Sequence, residues 1–314
     1  MEIQELKSSL SLPLIVAPMF LVSGTKLVIE SCKKGVLGTF PSLNGRTVQD
    51  FENMLVDIIS ELEKFKVETG CQPAPFGVNL IVNRTNPRLI PDLQLCIKYK
   101  VPLIITSLGA SKDVVDAIHN YGGLVFHDII RKRHAEKAIE AGVDGLIAVA
   151  AGAGGHAGTA NPFALISEIR SFFNGPLVLA GALNSGKDIL AAETLGADFA
   201  YMGTRFIATQ ESLASADYKL TLISSYIDDV LYTAAVSGVH GNFLKSSIEK
   251  AGVDLTDKKE EDFSELSAEN DKAWKDVWSA GQGTTGIHSI STVSHLIDEI
   301  KLEYKNKRSQ MISR

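Results

Sequence analysis

The sequence predicts an α/β protein, a (β/α)8 TIM barrel with a small helical lid inserted after the eighth strand. Three observations carry this. Short apolar runs without polar alternation recur along the chain, as in parallel strands covered on both faces. Helical patterns separate them, which is the mark of βα units. Eight such runs fit within roughly 200 residues, the span of one barrel.

The eight runs cover 14–17, 36–39, 76–80, 103–107, 124–127, 145–149, 177–180 and 199–203. Thr47 is placed to cap a long helix carrying Phe51, Met54, Leu55, Ile58, Ile59 and Leu62 on one face. Val114, Val115 and Ile118 mark the helix after the fourth run. Pro162 suits the first position of another, ahead of Leu165, Ile166 and Ile169. Ser185 is placed to cap the helix of Ile189, Leu190 and Leu195. The alternative, a doubly wound sheet, more often carries GxGxxG after its first strand; that turn reads Ala17-Pro18-Met19-Phe20.

After Thr204 the rhythm breaks. Residues 209–278 hold helical patterns and an acidic stretch at 257–265, but no further βα unit. Val293, Leu296, Ile297 and Ile300 then resemble a closing barrel helix. The expected division is a barrel of residues 1–208 and 279–314, with a helical lid of residues 209–278 over its mouth. The acidic stretch reads as a solvated linker.

Composition narrows the function. Hydrophobic residues make up 45% and charged residues 22%, as in an ordinary globular chain. The net charge is -6 and no Lys/Arg-rich block stands out, which argues against a nucleic-acid partner. Cys32, Cys71 and Cys96 form no CxxC pair and point to a reducing compartment, the cytoplasm. The acidic, polar start is no signal peptide, and no apolar run approaches a membrane span.

Barrel sites lie at the C-terminal ends of the strands. Those ends read Pro18-Met19, Thr39, Asn79, Ser107, His127-Asp128, the loop 152–158, Gly181-Ala182 and Gly203-Thr204. The loop, Gly-Ala-Gly-Gly-His-Ala-Gly, is nearly bare backbone carrying one imidazole, His156, a candidate for proton transfer or anion stabilisation. The turns at Gly181-Ala182 and Gly203-Thr204 suit a phosphate held by main-chain N–H groups. Asn79 is a candidate to hydrogen-bond a planar heterocycle or to cap a turn. Asp128 is placed to fix the tautomer of His127. The seven histidines show no metal-ligand spacing, and GxSxG and P-loop motifs are absent.

With these residues assembled, the chain resembles the nitronate monooxygenases, once called 2-nitropropane dioxygenases, flavin enzymes built on an FMN-binding barrel. The resemblance runs from Pro13-Leu14-Ile15-Val16-Ala17-Pro18-Met19 through Phe76-Gly77-Val78-Asn79-Leu80, Gly154-Gly155-His156-Ala157-Gly158 and Tyr201-Met202-Gly203-Thr204-Arg205-Phe206 to Ser279-Ala280-Gly281-Gln282-Gly283. It implies FMN as cofactor. Ala17, Pro18, Met19, Asn79 and Ser107 would meet the flavin from the first strands, and Gly154 and Gly155 from the glycine loop. Gly181, Ala182, Met202, Gly203 and Thr204 would gather around its phosphate. His156 matches the catalytic histidine beside the ring, and His127 is the candidate donor near N1 of the reduced flavin. The implied activity is oxidation of alkyl nitronates by O2 to carbonyl compounds and nitrite. The implied partners are a small nitronate or nitroalkane and O2, with a homodimer as candidate assembly. The same superfamily holds NAD(P)H-dependent reductases of quinones and enoyl thioesters, which stand as the alternative; a ligand carrier without turnover is a third. The chain also departs from the family's common pattern. Val149-Ala150-Ala151-Gly152-Ala153 carries no polar side chain before the histidine, and Gly181-Ala182 stands where Gly-Gly is usual.

Overall fold

A computed structural model of the protein describes residues 1–256 and 276–313. The acidic stretch at 257–265, expected to be a solvated linker, lies outside the described residues. The strands in chain order are β1 (Leu14–Val16), β2 (Leu37–Pro41), β3 (Phe76–Ile81), β4 (Leu103–Ser107), β5 (Leu124–Ile129), β6 (Gly145–Val149), β7 (Gly155–His156), β8 (Leu177–Ala180) and β9 (Phe199–Met202). All but β7 form one closed parallel barrel, sealed where β9 pairs with β1. The eight expected runs are its eight strands, within two residues at either end. β5 continues past the expected end to Ile129, and this extension matters at the site.

Two apolar layers hold the barrel. Alternate residues fill its axis, among them Ile15, Ile105, Phe126, Ile147, Val178 and Phe199. The intervening ones, such as Val16, Ile104, Val125 and Leu179, pack under the surrounding helices. The helix α1 (Ile3–Ser9) closes the lower end by burying Leu6 in the axial cluster. The long helix (Val48–Thr69) forms as its pattern dictates. Thr47 caps it through the Asp50 amide, and Gly70 ends it in the left-handed conformation at φ 70°. Its inward Phe51, Leu55, Ile58 and Leu62 each contribute about 1.5–3 kcal/mol of burial. The C-terminal helix (Val293–Ile312) docks on the helices Thr25–Lys33 and Gly186–Leu195 and completes the ring, as expected. The approach is tight: a Cβ on Gly186 would stand 2.2 Å from the Ile300 carbonyl oxygen.

Between β9 and the C-terminal helix the chain folds over the mouth. Helices Ala216–Ser224 and Lys245–Ala251 follow the expected helical character. The same segment also holds β10 (Val230–Thr233) and β11 (Gly241–Leu244), which sequence reading did not find. They form an antiparallel sheet with β7, in the order β10-β11-β7. Small apolar clusters anchor the segment, one of them including Val22, Ile207, Tyr218, Leu222 and Ile287. Tyr218 and Trp278 stack there, 5.1 Å apart and 9° from parallel.

Candidate active site

A cavity of about 1320 Å³ opens at the C-terminal ends of the barrel strands, under the inserted segment. Among the expected residues, Ala17, Pro18, Met19, Asn79, Ser107 and His127 line it on one side. Gly154, Gly155, His156, Gly181, Ala182, Gly203 and Thr204 line it on the other. Met202 does not. It is 1% exposed and packs in the layer between strands and helices. Its contribution is the carbonyl that accepts the Ala17 N–H at 2.9 Å.

Strand ends place each wall. After β1 the chain turns sharply, with Asn44 Nδ2 donating to the Met19 and Ser23 carbonyls at 3.0 and 2.8 Å. Asn79 on β3 is buried, and its Nδ2 donates to the Ile105 carbonyl and to Ser107 Oγ. Both amide hydrogens are thus committed, which leaves Oδ1 to accept from a ligand. After β8, Gly181 adopts φ 137° and Ala182 φ 55°. The backbone there takes the conformation that glycine favours, and Ala182 holds it against a side chain.

The loop 152–158 is laced to two distant segments. The Gly152 carbonyl accepts from the Gln282 amide at 2.9 Å, and Asn242 Nδ2 donates to the Ala153 carbonyl at 2.7 Å. The Gly281 amide donates to Thr204 Oγ1 at 2.9 Å. A Cβ on Gly154 would stand 2.7 Å from the Gly281 nitrogen and 3.0 Å from Thr204 Oγ1. A side chain at Gly154 is therefore excluded by this main chain, and its bare backbone lines the cavity. Gly155 differs: its φ is 67° and nothing lies within 4 Å of a Cβ there, so it faces open space.

His156 follows on β7, paired with Gly241 of β11. Its Nε2 lies 3.2 Å from Ser237 Oγ, and that hydroxyl donates to the Val239 carbonyl at 3.2 Å. Ser237 has one proton to give, so Nε2–H is the donor to its oxygen and Nδ1 carries the lone pair. Burial pushes the imidazole down to about 4, so the ring is neutral at neutral pH.

His127 and Asp128 are not the pair expected. Strand alternation turns His127 to the outer layer, where Nδ1 meets Thr106 Oγ1 at 2.7 Å. Burial, helped by the neighbouring His134, lowers it to about 4, so His127 is neutral too. Asp128 continues the inward series of Leu124 and Phe126 and lines the cavity. Burial raises its carboxyl to about 7, and its Oδ1 is buried without a partner. Tyr201, on the inward face of β9, has a buried hydroxyl in the same condition. Its pKa is pushed well up by burial and by the Asp128 charge. Sequence reading took Asp128 only as a helper of His127 and gave Tyr201 no role, yet both groups stand at the top of the barrel axis. The signal available was parity: counting inward from Phe126 points to Asp128.

Two orphaned polar atoms, an available Asn79 oxygen and a bare turn at Gly181 suit a polar, planar, phosphorylated ligand. Among the described residues no cluster of His, Cys, Asp and Glu suits a metal. No described helix is long and apolar enough to cross a membrane.

The comparisons agree with this geometry. The family model described as nitronate monooxygenase matches residues 53–303. A Neurospora crassa nitronate monooxygenase is 24% identical over 91% of this chain and 84% of its own length. A Rhodococcus jostii protein, named as an octahydro-1H-indene-4-carboxyl-CoA dehydrogenase, is 27% identical over 75% of this chain. The match spans 63% of that relative's length. FabK from Thermotoga maritima shares the fold, with TM-score 0.81, 23% identity, and 99% and 98% of the two chains covered. A closed eight-stranded barrel with its loops gathered at one rim, and a family match across most of the sequence, lead to one assignment: the chain belongs to the nitronate monooxygenase family.

Proposed function

We propose that this protein is an FMN-dependent oxidoreductase that oxidises alkyl nitronates or nitroalkanes with O2, giving a carbonyl compound and nitrite. The observation that carries the reading is the deep cavity at the strand ends, lined both by bare backbone at Gly181 and by the neutral imidazole of His156. FMN, when bound, would supply the redox chemistry. Gly181, Ala182, Gly203 and Thr204 would hold its phosphate. Thr204 accepts from Gly281 and so keeps its own hydroxyl proton to donate. Asn79 Oδ1 would accept from a ring N–H, and Asp128 and Tyr201 would offer donors from below.

His156 works on the substrate. In its Nε2–H form Nδ1 is the basic atom, and it would take the α-proton of a neutral nitroalkane while Ser237 steadies the other nitrogen. A nitronate has already lost that proton and needs only to be held. The inserted segment closes over this wall: Tyr232 donates to the Ala157 carbonyl at 2.9 Å and so ties β10 to the histidine loop. We regard residues 209–278 as the substrate-enclosing unit and the rest as the cofactor barrel. The three cysteines are all free, with Cys32 and Cys96 buried, which supports a cytoplasmic location.

A second reading has its own support. A reductase that takes a nicotinamide donor and a quinone or thioester acceptor is supported by the Rhodococcus relative, which is named for a carboxyl-CoA substrate, and by a cavity of about 1320 Å³ with room for more than a flavin. One experiment tests both readings. The purified protein is examined for flavin absorbance, then titrated without oxygen with propionate 3-nitronate and with NADH. Bleaching by nitronate supports the first reading, rapid bleaching by NADH the second. A protein that stays colourless when given FMN overturns both.

A further inference from the structure

The cavity extends beyond any need of a small nitronate, to a cationic rim. Arg131, Arg133, His134 and Lys137 all line it. Arg131 immediately precedes the helix Lys132–Glu140, and Arg133 and Lys137 stand four apart on one face of that helix. Among the described residues, none of Arg131, Arg133 and Lys137 has an acidic partner, in a chain of net charge -6. Their mutual proximity is visible at His134, which is pushed down by burial and then by all three cations.

Across the opening stands an aromatic pair. Tyr232 and His240 are exposed, line the same cavity and stack at 5.2 Å and 30°. Tyr232 is raised by burial, and the nearby Arg131 charge pulls it the other way, so rings and cations share one part of the cavity lining. Three uncompensated cations beside an exposed ring pair have the composition that recognises a phosphorylated nucleotide: phosphates on the cations, the base on the rings.

We propose that this rim binds the adenosine diphosphate handle of the molecule whose reactive end reaches His156. Arg131, Arg133 and Lys137 take the phosphates, and Tyr232 with His240 takes the adenine. The inference deepens the second reading above, the reductase, and rests on the cavity being a substrate site beside a flavin. Coenzyme A thioesters and NAD(P)H both carry this handle, so its chemistry is shared by two sources.

The test is direct titration of the flavin-loaded protein with ADP, coenzyme A and NADPH, in the wild type and in Arg133→Ala, Lys137→Ala and Tyr232→Ala. Arg133 and Lys137 are exposed, while Tyr232→Ala also removes the hydrogen bond to the Ala157 carbonyl; unaltered flavin absorbance and melting temperature check the fold. All ligands that carry the handle should bind more weakly as salt rises. Each lost cation should cost about tenfold in affinity, and the Arg133→Ala/Lys137→Ala pair should cost more. Binding of coenzyme A without NADPH, or the reverse, supports the site and identifies the source. Failure of ADP, coenzyme A and NADPH alike to bind, or equal binding by wild type and variants, overturns it. A protein without flavin absorbance marks failure of the underlying reading instead, because the ADP titration is still read by heat release.

Discussion

Replacing His156 with Ala should separate two kinds of substrate. The imidazole is pushed down to about 4 by burial, so at pH 7 about one ring in a thousand carries charge. Charging it there costs about 4 kcal/mol. A nitronate held at about 4 Å would return about 4 kcal/mol at the effective dielectric of a protein site. Cost and return nearly cancel, so the ring adds little to holding a nitronate. A neutral nitroalkane offers no such return, and what it needs is a base, the form in which the ring already rests. His156→Ala should therefore lower kcat/KM for a nitroalkane by about 10²-fold, the low end for a general base, because an imidazole near 4 is a weak one. For the matching nitronate the loss should stay within about tenfold. The assay is nitrite release from nitroethane and from ethyl nitronate, with bound flavin measured in each sample. In the wild type, nitroalkane activity should fall on the acid side near pH 4 rather than near 6.5, because protonation abolishes the base. Equal losses on both substrates, or an acid limb at 6.5, would refute the assignment of Nδ1 as base.

Three further outcomes follow from buried groups. His127 is held near 4 by burial and His134, so its folded pKa lies below the unfolded value of about 6.5. The unfolded chain takes up the proton first, and stability present above pH 6.5 is lost as pH falls towards 4. The loss from this group should be about 2 kcal/mol between pH 7 and pH 5. Urea melts of wild type and His127→Gln at the two pH values should show the variant losing less. At the opposite face of the barrel, Asp198 accepts from Lys7, Arg170 and the Leu177 amide. Burial alone would raise its carboxyl, but these donors outweigh burial and lower it. Its stabilisation is thus present above the unfolded pKa and lost as pH falls below it. Asp198→Ala should cost about 2–4 kcal/mol in a denaturant melt and leave the flavin content intact, since the residue lies far from the mouth. Ala182→Gly should remove about 1–2 kcal/mol of left-handed strain against about 0.5–1 kcal/mol of added chain entropy. A rise in melting temperature is the expected sign, and a fall would show that the Ala182 methyl group contributes packing of its own.

The parts of the fold that were legible are those with local periodic signals. Each barrel strand is an apolar run, and helices after three of them begin at a capping side chain, Thr47, Asn161 or Ser185. β10 and β11 are four residues long and β7 two, and β7 is Gly155-His156, which has no apolar pattern. Strands so short exist because they pair with each other, and that pairing joins segments far apart in the chain. The glycine loop shows the same limit. A bare Gly154 can mean space for a ligand or space for another backbone, and only the approach of Gly281 decides it.

The same reasoning separates the two polar neighbours of β5. His127 drew attention because imidazoles titrate near neutral pH, yet its parity sends it outward to Thr106, where burial holds it neutral. Asp128 looked like its helper. The extension of the strand to Ile129 carries the alternation one step further and sends this carboxyl inward, opposite Tyr201. A carboxyl at the axis with a pKa of about 7 is the group poised to change charge near neutrality. Its position beneath the cavity means that a ligand donor placed there would draw it towards the ionised form, and an electron-rich ring edge would draw it towards the protonated one.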